Sequence, residues 1–363
     1  MLEGTFFTEL AKELNAPLLF EGLWESPKAF LIHAIHKLSN RNVIVITSDS
    51  HENTLYQDLA FFQKEEVLEL PSWEALPGEE VPPSRDIMGK RLEVLHTLLK
   101  SKSPQIVLTS LQSFLQKVVS KKTLDSLFWS IQSGQEVNFE DLVYVLSSLG
   151  YERTKLVDDK GKFAVRGGII DVFPISEKAP YRIEFFGNQI ESLRLFDPMS
   201  QRSVEKATHL TFSHADEYGV LFKEKHLETL TDYLEDPIII FEDLLSIEDH
   251  FVKLKSLSGF SSRFFLDFPT FLKSDTPRIY FSDHPLENLQ PKHTHLEFLN
   301  EKLPFKRHHH PFAPIDIEHL DPSLSYLFLT EGDKEREVIK ANTNLPNSTF
   351  ISGYLSSGNK CGI

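Results

Sequence analysis

The sequence of 363 residues contains a single cysteine, Cys361. One cysteine excludes an internal disulfide framework and favours a reducing compartment. No stretch approaches the roughly 20 consecutive apolar residues that span a bilayer, and the N-terminal segment MLEGTFFTELAKEL lacks the basic flank of a signal peptide. These absences predict a cytoplasmic protein with no membrane partner.

Positive charge is also scarce. The chain has 38 lysines and arginines against 53 acidic residues, which gives a net charge of −15. A large nucleic-acid footprint usually requires a basic surface. The imbalance therefore favours protein partners, although it leaves room for a local basic patch.

The N-terminal segment has the pattern of an α/β unit. Ala16–Glu21 and Asn42–Thr47 are apolar enough for buried parallel strands, and Ala29–Leu38 between them suits a helix. With a length of 363 residues, two or three domains are expected.

The loop between this first strand and helix is similar to a phosphate-binding loop that has lost its chemistry. Set against G-x-x-x-x-G-K-[ST], it keeps Gly22 and Lys28, but it has Pro27 for the second glycine and Ala29 for the hydroxyl residue. Proline removes an N–H donor from a loop that binds phosphate through N–H groups, and alanine cannot contact magnesium. The loop therefore predicts no nucleotide binding and no cofactor.

A later segment, Ile238–Asp243, is similar to a Walker B strand that ends in carboxylates. Without an intact phosphate loop, we interpret it as a buried strand whose acidic residues begin a helix over Leu244–Lys255, because acidic side chains favour helix N-termini.

Residues 70–98 form a proline-rich loop followed by a helical pattern over Ile87–Leu99. Arg85, Lys90 and Arg91 are expected in the loop and on the solvated face of that helix. The next predicted elements are a strand and a helix, Ile106–Thr109 and Leu111–Val119.

The most informative segment is residues 162–197, which has the pattern of paired β-strands. Alternation places Tyr181, Ile183 and Phe185 on the core face of one strand. The other face carries Arg182, Glu184 and Phe186. On the neighbouring strand, Ala164 and Arg166 point to one face of the sheet, and Phe163 and Val165 point to the other. Gly167–Gly168 allows a bulge or a tight backbone approach, and Gly187–Asn188 is a hairpin turn signal.

Arg166, Arg182 and Phe186 are thus predicted to share one outer face of the sheet. Arginine and aromatic residues are enriched among interface hot spots. The alternative is an ordinary amphipathic sheet with one exposed ring, since single exposed apolar residues are common.

The stretches RGGIIDVFP, YRIEFF and ESLRLFDPMSQRSVE resemble the second domain shared by the excision-repair helicase UvrB and the bacterial transcription-repair coupling factor family. The resemblance implies that this domain binds the damage-recognition protein UvrA, and that Arg166, Arg182 and Phe186 contribute to the binding surface. The loop around Trp73 is similar to the WE-x-LP pattern of the coupling factors and lacks the tyrosines of the DNA-binding hairpin of UvrB.

The same resemblance implies an α/β fold: a degenerate RecA/UvrB-like parallel α/β domain, an inserted mixed α/β domain and a small C-terminal α/β domain. The expected domains are 1–125 (1A), 126–213 (2, UvrA-binding), 214–285 (1B) and 286–363 (3). The last is expected to contain a strand, a helix and a strand, Tyr326–Thr330, Glu331–Ala341 and Thr349–Leu355.

Five histidines, His293, His295 and His308–His310, suggest a zinc site. Zinc ligands must converge on one point and usually include cysteines or carboxylates. Three consecutive histidines point in different directions, so a solvated loop is the favoured interpretation and no metal is expected.

The hypothesis from the sequence is a UvrA-recruiting module that acts by protein–protein docking and is not an enzyme by itself. In the family, RNA polymerase and double-stranded DNA are bound by regions expected to be absent from this chain. Two alternatives remain open: a UvrB-like ATP-dependent DNA-repair helicase, which would bind nucleotide through Lys28, and an inactive remnant.

Overall fold

The structure, a computed structural model, describes the larger part of the chain. The described residues are 5–21, 23, 26–47, 52–63, 66–76, 79, 81–257, 260–283, 294–297, 299–302, 326–330, 336–337, 340, 348–352 and 359–362. Their helices are α1 (Thr5–Glu13), α2 (Ser26–Ser39), α3 (Glu52–Phe62), α4 (Arg85–Lys100), α5 (Leu111–Leu115), α6 (Lys121–Ser126), α7 (Phe139–Ser148), α8 (Glu217–Lys223), α9 (Leu244–Ser256) and α10 (Phe268–Phe271), with a 3-10 turn at Leu230–Tyr233.

The strands of the described residues alternate with these helices along the chain. They are β1 (Leu18–Glu21), β2 (Val43–Thr47), β3 (Leu68–Leu70), β4 (Ile106–Ser110), β5 (Phe128–Gln132), β6 (Glu152–Arg153), β7 (Lys162–Arg166), β8 (Ile169–Phe173), β9 (Tyr181–Phe186), β10 (Gln189–Phe196), β11 (Ser203–Ala207), β12 (His209–Ser213), β13 (Ile238–Phe241), β14 (Arg278–Ser282), β15 (Thr294–Glu297), β16 (Leu299–Lys302), β17 (Tyr326–Thr330), β18 (Ser348–Ser352) and β19 (Asn359–Gly362). The predicted α/β class is confirmed.

The chain divides into two compact units. The first comprises Met1–Val67, Ile238–Glu248 and Thr276–Ile363, and the second comprises Leu68–Pro237 and Asp249–Asp275. The four domain boundaries expected from the sequence stay predictions.

The first unit contains a parallel sheet in which β15, β1, β14, β13 and β2 are neighbours in that order. All residues of β1, β2 and β13 are buried, as expected for parallel strands that are covered on both faces. The strands predicted at Ala16–Glu21, Asn42–Thr47 and Ile238–Asp243 are therefore confirmed within one or two residues.

The second unit contains a six-stranded sheet with the order β11-β10-β9-β8-β7-β6. Its pairs are antiparallel except for β6 with β7. The same unit also contains the parallel pair β3–β4 and the antiparallel pair β5–β12. One face of the large sheet is a core, where Ile170, Ile183 and Leu193 are buried and Phe185 packs edge-to-face on Phe139 of α7 at 5.1 Å.

The helix predicted over Leu111–Val119 is wrong in its second half. It ends at Leu115, because the following backbone pairs with distant segments: the N–H of Lys117 donates to the carbonyl of Phe264 at 2.8 Å, and that of Val118 to Glu228 at 2.8 Å. Tertiary pairing thus overrides the local helical pattern.

Near the C-terminus, β17 and β18 form a parallel pair in which Tyr326 is opposite Ser348. Both strands were predicted, and residues 336, 337 and 340 of the predicted Glu331–Ala341 helix are helical. Of the histidines considered for zinc, His295 lies in β15, while His293 and His308–His310 lie outside the described residues.

Candidate protein-docking surface

Two tight hairpins end the six-stranded sheet on one side. The β7–β8 turn is Gly167–Gly168 and the β9–β10 turn is Gly187–Asn188. Gly167 has a φ of +59° and Gly187 a φ of +60°, a left-handed conformation that glycine adopts without steric cost. The predicted hairpin turn at Gly187–Asn188 is confirmed.

The two hairpin tips are neighbours, because two-residue turns on alternate connections of a meander fall at the same end of the sheet. The N–H of Phe185 donates to the carbonyl of Gly168 at 2.9 Å. Arg166 and Phe186 are the last residues of β7 and β9 before their turns. The structure therefore brings these two predicted site residues to one end of the sheet.

The register also places Arg166, Arg182 and Phe186 on the same side of the sheet. Arg166 is opposite Ile169, Ile169 is opposite Glu184, and Arg182 and Phe186 lie two residues either side of Glu184. Opposed residues and residues two apart share a face. We call this the outer face, and the predicted alternation along Tyr181–Phe186 is confirmed by the burial of Tyr181 and Ile183 on the other side.

Arg166 and Phe186 are both accessible. Phe186 is 78% exposed, and its ring has no polar group that could bind water. Arg166 is exposed and donates from Nη2 to the carbonyl of Lys155 at 2.7 Å. A phenyl ring and a guanidinium are thus both exposed at the hairpin-tip end of the outer face.

Arg182 has a different environment from the other two. Its Nε and Nη2 donate to both carboxylate oxygens of Asp171, at 2.7 and 2.8 Å, and its guanidinium lies 4.9 Å from the ring centre of Phe196. The hydrogen bond to Asp171 raises the pKa of Arg182 above its ordinary value. Arg182 also lies about 13 Å along the strand from Phe186, since strands rise about 3.3 Å per residue.

The outer face is not uniformly solvated, which the sequence did not indicate. Val157, Ala164, Phe173 and Phe196 form a small buried cluster on this side. Glu184, two residues from Arg182 on the same face, accepts a hydrogen bond from the Ser192 hydroxyl at 2.5 Å and lies 3.3 Å from Arg194. Part of the outer face is therefore a second small core, and the Arg182 guanidinium lies over its Phe196 ring.

We expect Arg182→Ala to lower the free energy of unfolding by about 2 kcal/mol. It leaves the buried Asp171 carboxylate without its bidentate partner. Breaking a fully buried pair costs about 3–5 kcal/mol, and we expect a smaller loss of stability here because Arg182 is partly exposed. Urea unfolding measures it, with Arg166→Ala as the matched exposed arginine. Equal stability of the two variants would contradict a structural role for Arg182.

The degenerate phosphate loop is folded into a helix start. α2 begins at Ser26 rather than at the predicted Ala29, so Pro27 lies in the first turn, where a missing N–H is tolerated. Pro27, Lys28 and Ala29 are all buried, and Gly22 lies outside the described residues.

Lys28 is held by two carboxylates. Its Nζ lies 2.5 Å from Glu242 and 2.6 Å from Asp283, and the Lys28 and Glu242 side chains are almost completely buried. Burial by itself would lower the pKa of Lys28, but the attraction of Glu242 and Asp283 outweighs it and raises the pKa. Glu242 belongs to the segment similar to Walker B. The lysine of the degenerate phosphate loop is therefore ion-paired with the carboxylate of that segment.

Arg91 is a residue whose environment sequence reasoning missed. It was expected on the solvated face of its helix, but it is fully buried. Its Nε donates to Glu217 at 3.0 Å, its Nη1 donates to the Pro71 carbonyl at 2.7 Å, and its guanidinium lies 5.7 Å from the Trp73 ring. Trp73 Nε1 also donates to Glu217, at 3.0 Å. This network holds Pro71 and Trp73 against the helix.

Among the described residues there is no group of three or more histidine, cysteine or acidic side chains placed to bind a metal. Within the same part of the chain, no helix has the length and apolar character required to cross a bilayer.

Residues 129–218, which contain β6–β11 and both hairpins, match the UvrB interaction domain family. The match covers about a quarter of the chain and includes the six-stranded sheet with the candidate docking residues.

The particular relatives are transcription-repair-coupling factors. The chain is 28% identical over 209 residues to that of Escherichia coli strain K12, which is 55% of this chain and 18% of the relative. It is 33% identical over 214 residues to that of Myxococcus xanthus (56% and 18%) and 29% identical over 211 residues to that of Bacillus subtilis strain 168 (57% and 18%). The chain spans about a fifth of the length of the curated relatives it matches, and the resemblance inferred from the sequence is confirmed.

Proposed function

We propose that this chain binds UvrA through the outer face of its UvrB interaction domain, and so recruits UvrA in transcription-coupled nucleotide excision repair. The observation that carries the proposal is the position of Arg166 and Phe186: both are exposed, and both lie on adjacent hairpin tips of the matched domain. Exposed aromatic and arginine side chains on a rigid scaffold are the usual anchors of a protein interface.

The exposed charges of the outer face also favour an acidic partner surface. The chain is acidic overall, yet the outer face carries the exposed cations Lys155, Arg166 and Lys206, with the half-buried Arg194 beside them. The Asp171 carboxylate on this side already binds Arg182. This arrangement suits a partner surface that combines acidic groups with an apolar depression for the Phe186 ring.

In this proposal the three site residues have two roles. Arg166 and Phe186 contact UvrA directly, whereas Arg182 positions the sheet by holding Asp171 and Phe196. An Arg182 variant would then lose UvrA binding in proportion to the loss of folded domain, and its effect has to be corrected for stability.

We expect Arg166→Ala and Phe186→Ala each to weaken UvrA binding by about 2 kcal/mol, which is the threshold of an interface hot spot and a factor of about 30 in Kd. Titration of the full chain with purified UvrA by biolayer interferometry measures the affinity. The proposed site is wrong if both variants bind like wild type.

Matched controls are available in the same domain. Arg153 is exposed and opposite Phe163 in the register, so it lies on the other side of the sheet from Arg166. Tyr144 on α7 is exposed to a similar extent as Phe186. We expect Arg153→Ala and Tyr144→Ala to retain wild-type affinity.

The helicase alternative requires nucleotide binding at Lys28. We propose instead that the chain alone binds no nucleotide, because the Lys28 ammonium is engaged by Glu242 and Asp283 and both carboxylates would repel phosphate. A thermal shift assay with millimolar Mg-ATP and a non-hydrolysable analogue tests this: we expect no change of Tm. A saturable rise would favour the helicase function, since a ligand at 100 times its Kd stabilises by about 2.7 kcal/mol.

A further inference from the structure

We propose that Met199 and Leu156 form a second, apolar anchor for UvrA at the end of the outer face remote from the hairpin tips. This inference rests on the proposed function and extends its surface. It assigns the Asp197–Arg202 turn and the Lys155–Val157 segment to the docking surface, in addition to Arg166 and Phe186.

The Asp197–Arg202 turn is rigidly built. The N–H of Asp197 donates to the carbonyl of Arg202 at 2.9 Å, the N–H of Gln201 donates to the carbonyl of Asp197 at 2.8 Å, and the Asp197 carboxylate accepts the N–H of Ser200 at 2.6 Å. Gln201 has a φ of +58°, a left-handed conformation that costs free energy in a residue other than glycine. Such strain persists only where the surrounding bonds hold it.

These bonds leave Met199 directed into solvent. Met199 is 91% exposed, the largest value among the large apolar residues that the structure describes. A thioether chain on a fixed turn is adaptable at its tip and fills irregular apolar pockets on a partner.

Leu156 lies on a segment that is hydrogen-bonded to the Asp197–Arg202 turn. The Gln201 side-chain amide donates to the carbonyl of Val157 at 3.0 Å, and Val157 itself is completely buried. The carbonyl of Leu156 accepts from the Thr154 hydroxyl at 2.8 Å, while its side chain is 43% exposed. Met199 and Leu156 are thus presented by two segments that are bonded to each other.

The same contacts make this apolar pair continuous with the proposed docking site. Arg182 donates to the carbonyl of Gln201 at 3.3 Å, and Arg166 donates to the carbonyl of Lys155 at 2.7 Å. A line of direct contacts therefore runs along the outer face from Arg166 to the turn that carries Met199.

The charged residues around Met199 and Leu156 indicate the kind of partner surface that binds there. Lys155 and Arg202 are exposed cations that flank the pair. The nearby carboxylates are already bonded: Asp197 accepts the N–H of Ser200, Asp158 accepts from Lys162 Nζ at 2.8 Å, and Asp159 accepts the N–H of Lys160. A partner with an apolar depression rimmed by carboxylates fits both this end and the hairpin tips. One acidic, partly apolar surface of UvrA can therefore cover the whole face.

The test uses the full chain and purified UvrA. Met199→Ser and Leu156→Ser, which change exposed side chains, are expected to unfold like wild type and to weaken UvrA binding about tenfold each. Tyr144→Ser, an exposed apolar side chain on α7, is the control and is expected to leave the affinity unchanged. Hydroxyl-radical oxidation gives an independent readout: we expect UvrA to protect Met199, with the buried Met88 as internal reference.

The outcomes separate the two proposals. If wild type binds no UvrA, the proposed function fails. If Arg166→Ala and Phe186→Ala lose binding while Met199→Ser and Leu156→Ser do not, and Met199 oxidises equally with and without UvrA, the second anchor is overturned and the docking function stands. If Met199→Ser instead abolishes self-association in light scattering and leaves UvrA affinity unchanged, the face belongs to a second copy of this chain and the inference is likewise overturned.

Discussion

Replacing Arg91 by methionine is expected to lower the free energy of unfolding by about 3–5 kcal/mol, which is the usual cost of removing one partner from a buried ion pair. Both side chains of the Arg91–Glu217 pair have no solvent exposure. The substitution keeps most of the apolar stem of the side chain, so the loss comes from the charge and the hydrogen bonds. It leaves the Glu217 carboxylate buried with Trp73 Nε1 as a remaining donor.

The adjacent residue supplies the control. Lys90 is on the same helix, but its side chain is 37% exposed and its Nζ lies 3.3 Å from Glu93. Exposed pairs of this kind contribute about 0–0.5 kcal/mol, so we expect Lys90→Met to be nearly neutral. Urea unfolding followed by tryptophan fluorescence and circular dichroism compares the two variants.

A second variant isolates the charge. Arg91→Met combined with Glu217→Gln removes both charges and keeps an acceptor for Trp73, so it is expected to be more stable than Arg91→Met alone. If the double variant is no more stable, or if Arg91→Met costs under about 1 kcal/mol, the penalty does not come from an unpaired buried carboxylate.

Lys28→Met is the second large expected effect, at about 3 kcal/mol of lost unfolding free energy. Removal of the ammonium takes away the positive charge that both the Glu242 and Asp283 carboxylates contact, and Glu242 stays buried. The value lies at the lower end of the range for buried pairs, because the Asp283 side chain is 29% exposed and can be solvated.

Hydrogen exchange of the buried strands measures this effect where it arises. Peptides covering β2 and β13, which pair in parallel within the same unit as Lys28, are expected to exchange faster in Lys28→Met. Lys12→Met, at an exposed position of α1, is the control and is expected to exchange like wild type. Adding Glu242→Gln to Lys28→Met is expected to restore part of the protection.

The experiment also separates a structural lysine from a phosphate-binding one. If Lys28 served nucleotide binding, its replacement would weaken the ligand complex and leave the stability of the free chain nearly unchanged. If Lys28 neutralises two carboxylates, its replacement destabilises the free chain itself. Unchanged exchange in Lys28→Met would therefore contradict the structural role.

Much of the fold was predictable because it depends on local patterns. The continuous apolar run of β2 requires burial on both faces, and the alternation of YRIEFF determines which side chains face the core. The Gly187–Asn188 turn is equally local, since glycine adopts its left-handed conformation without steric cost. These local features are sufficient to place Arg166, Arg182 and Phe186 on one face of the sheet.

The failures share a different cause. Arg91 was predicted to be solvated because charged residues on amphipathic helices usually are, but its partner Glu217 lies 126 positions away. Helical periodicity contains no information about such a partner. The helix predicted over Leu111–Val119 failed for the same reason, because its end pairs with Phe264 and Glu228.

The sequence by itself determined the α/β class, the buried strands, the hairpin turns and the face on which the candidate docking residues lie, because propensity and periodicity act over a few residues. Only the tertiary structure decided that Arg182 is bound to Asp171 while Phe186 is free in solvent, that Lys28 is held by a carboxylate 214 positions away, and that a rigid turn presents Met199. A side chain's partners are set by packing between segments that are distant in the chain, and a local pattern specifies the direction of a side chain but not what lies against it.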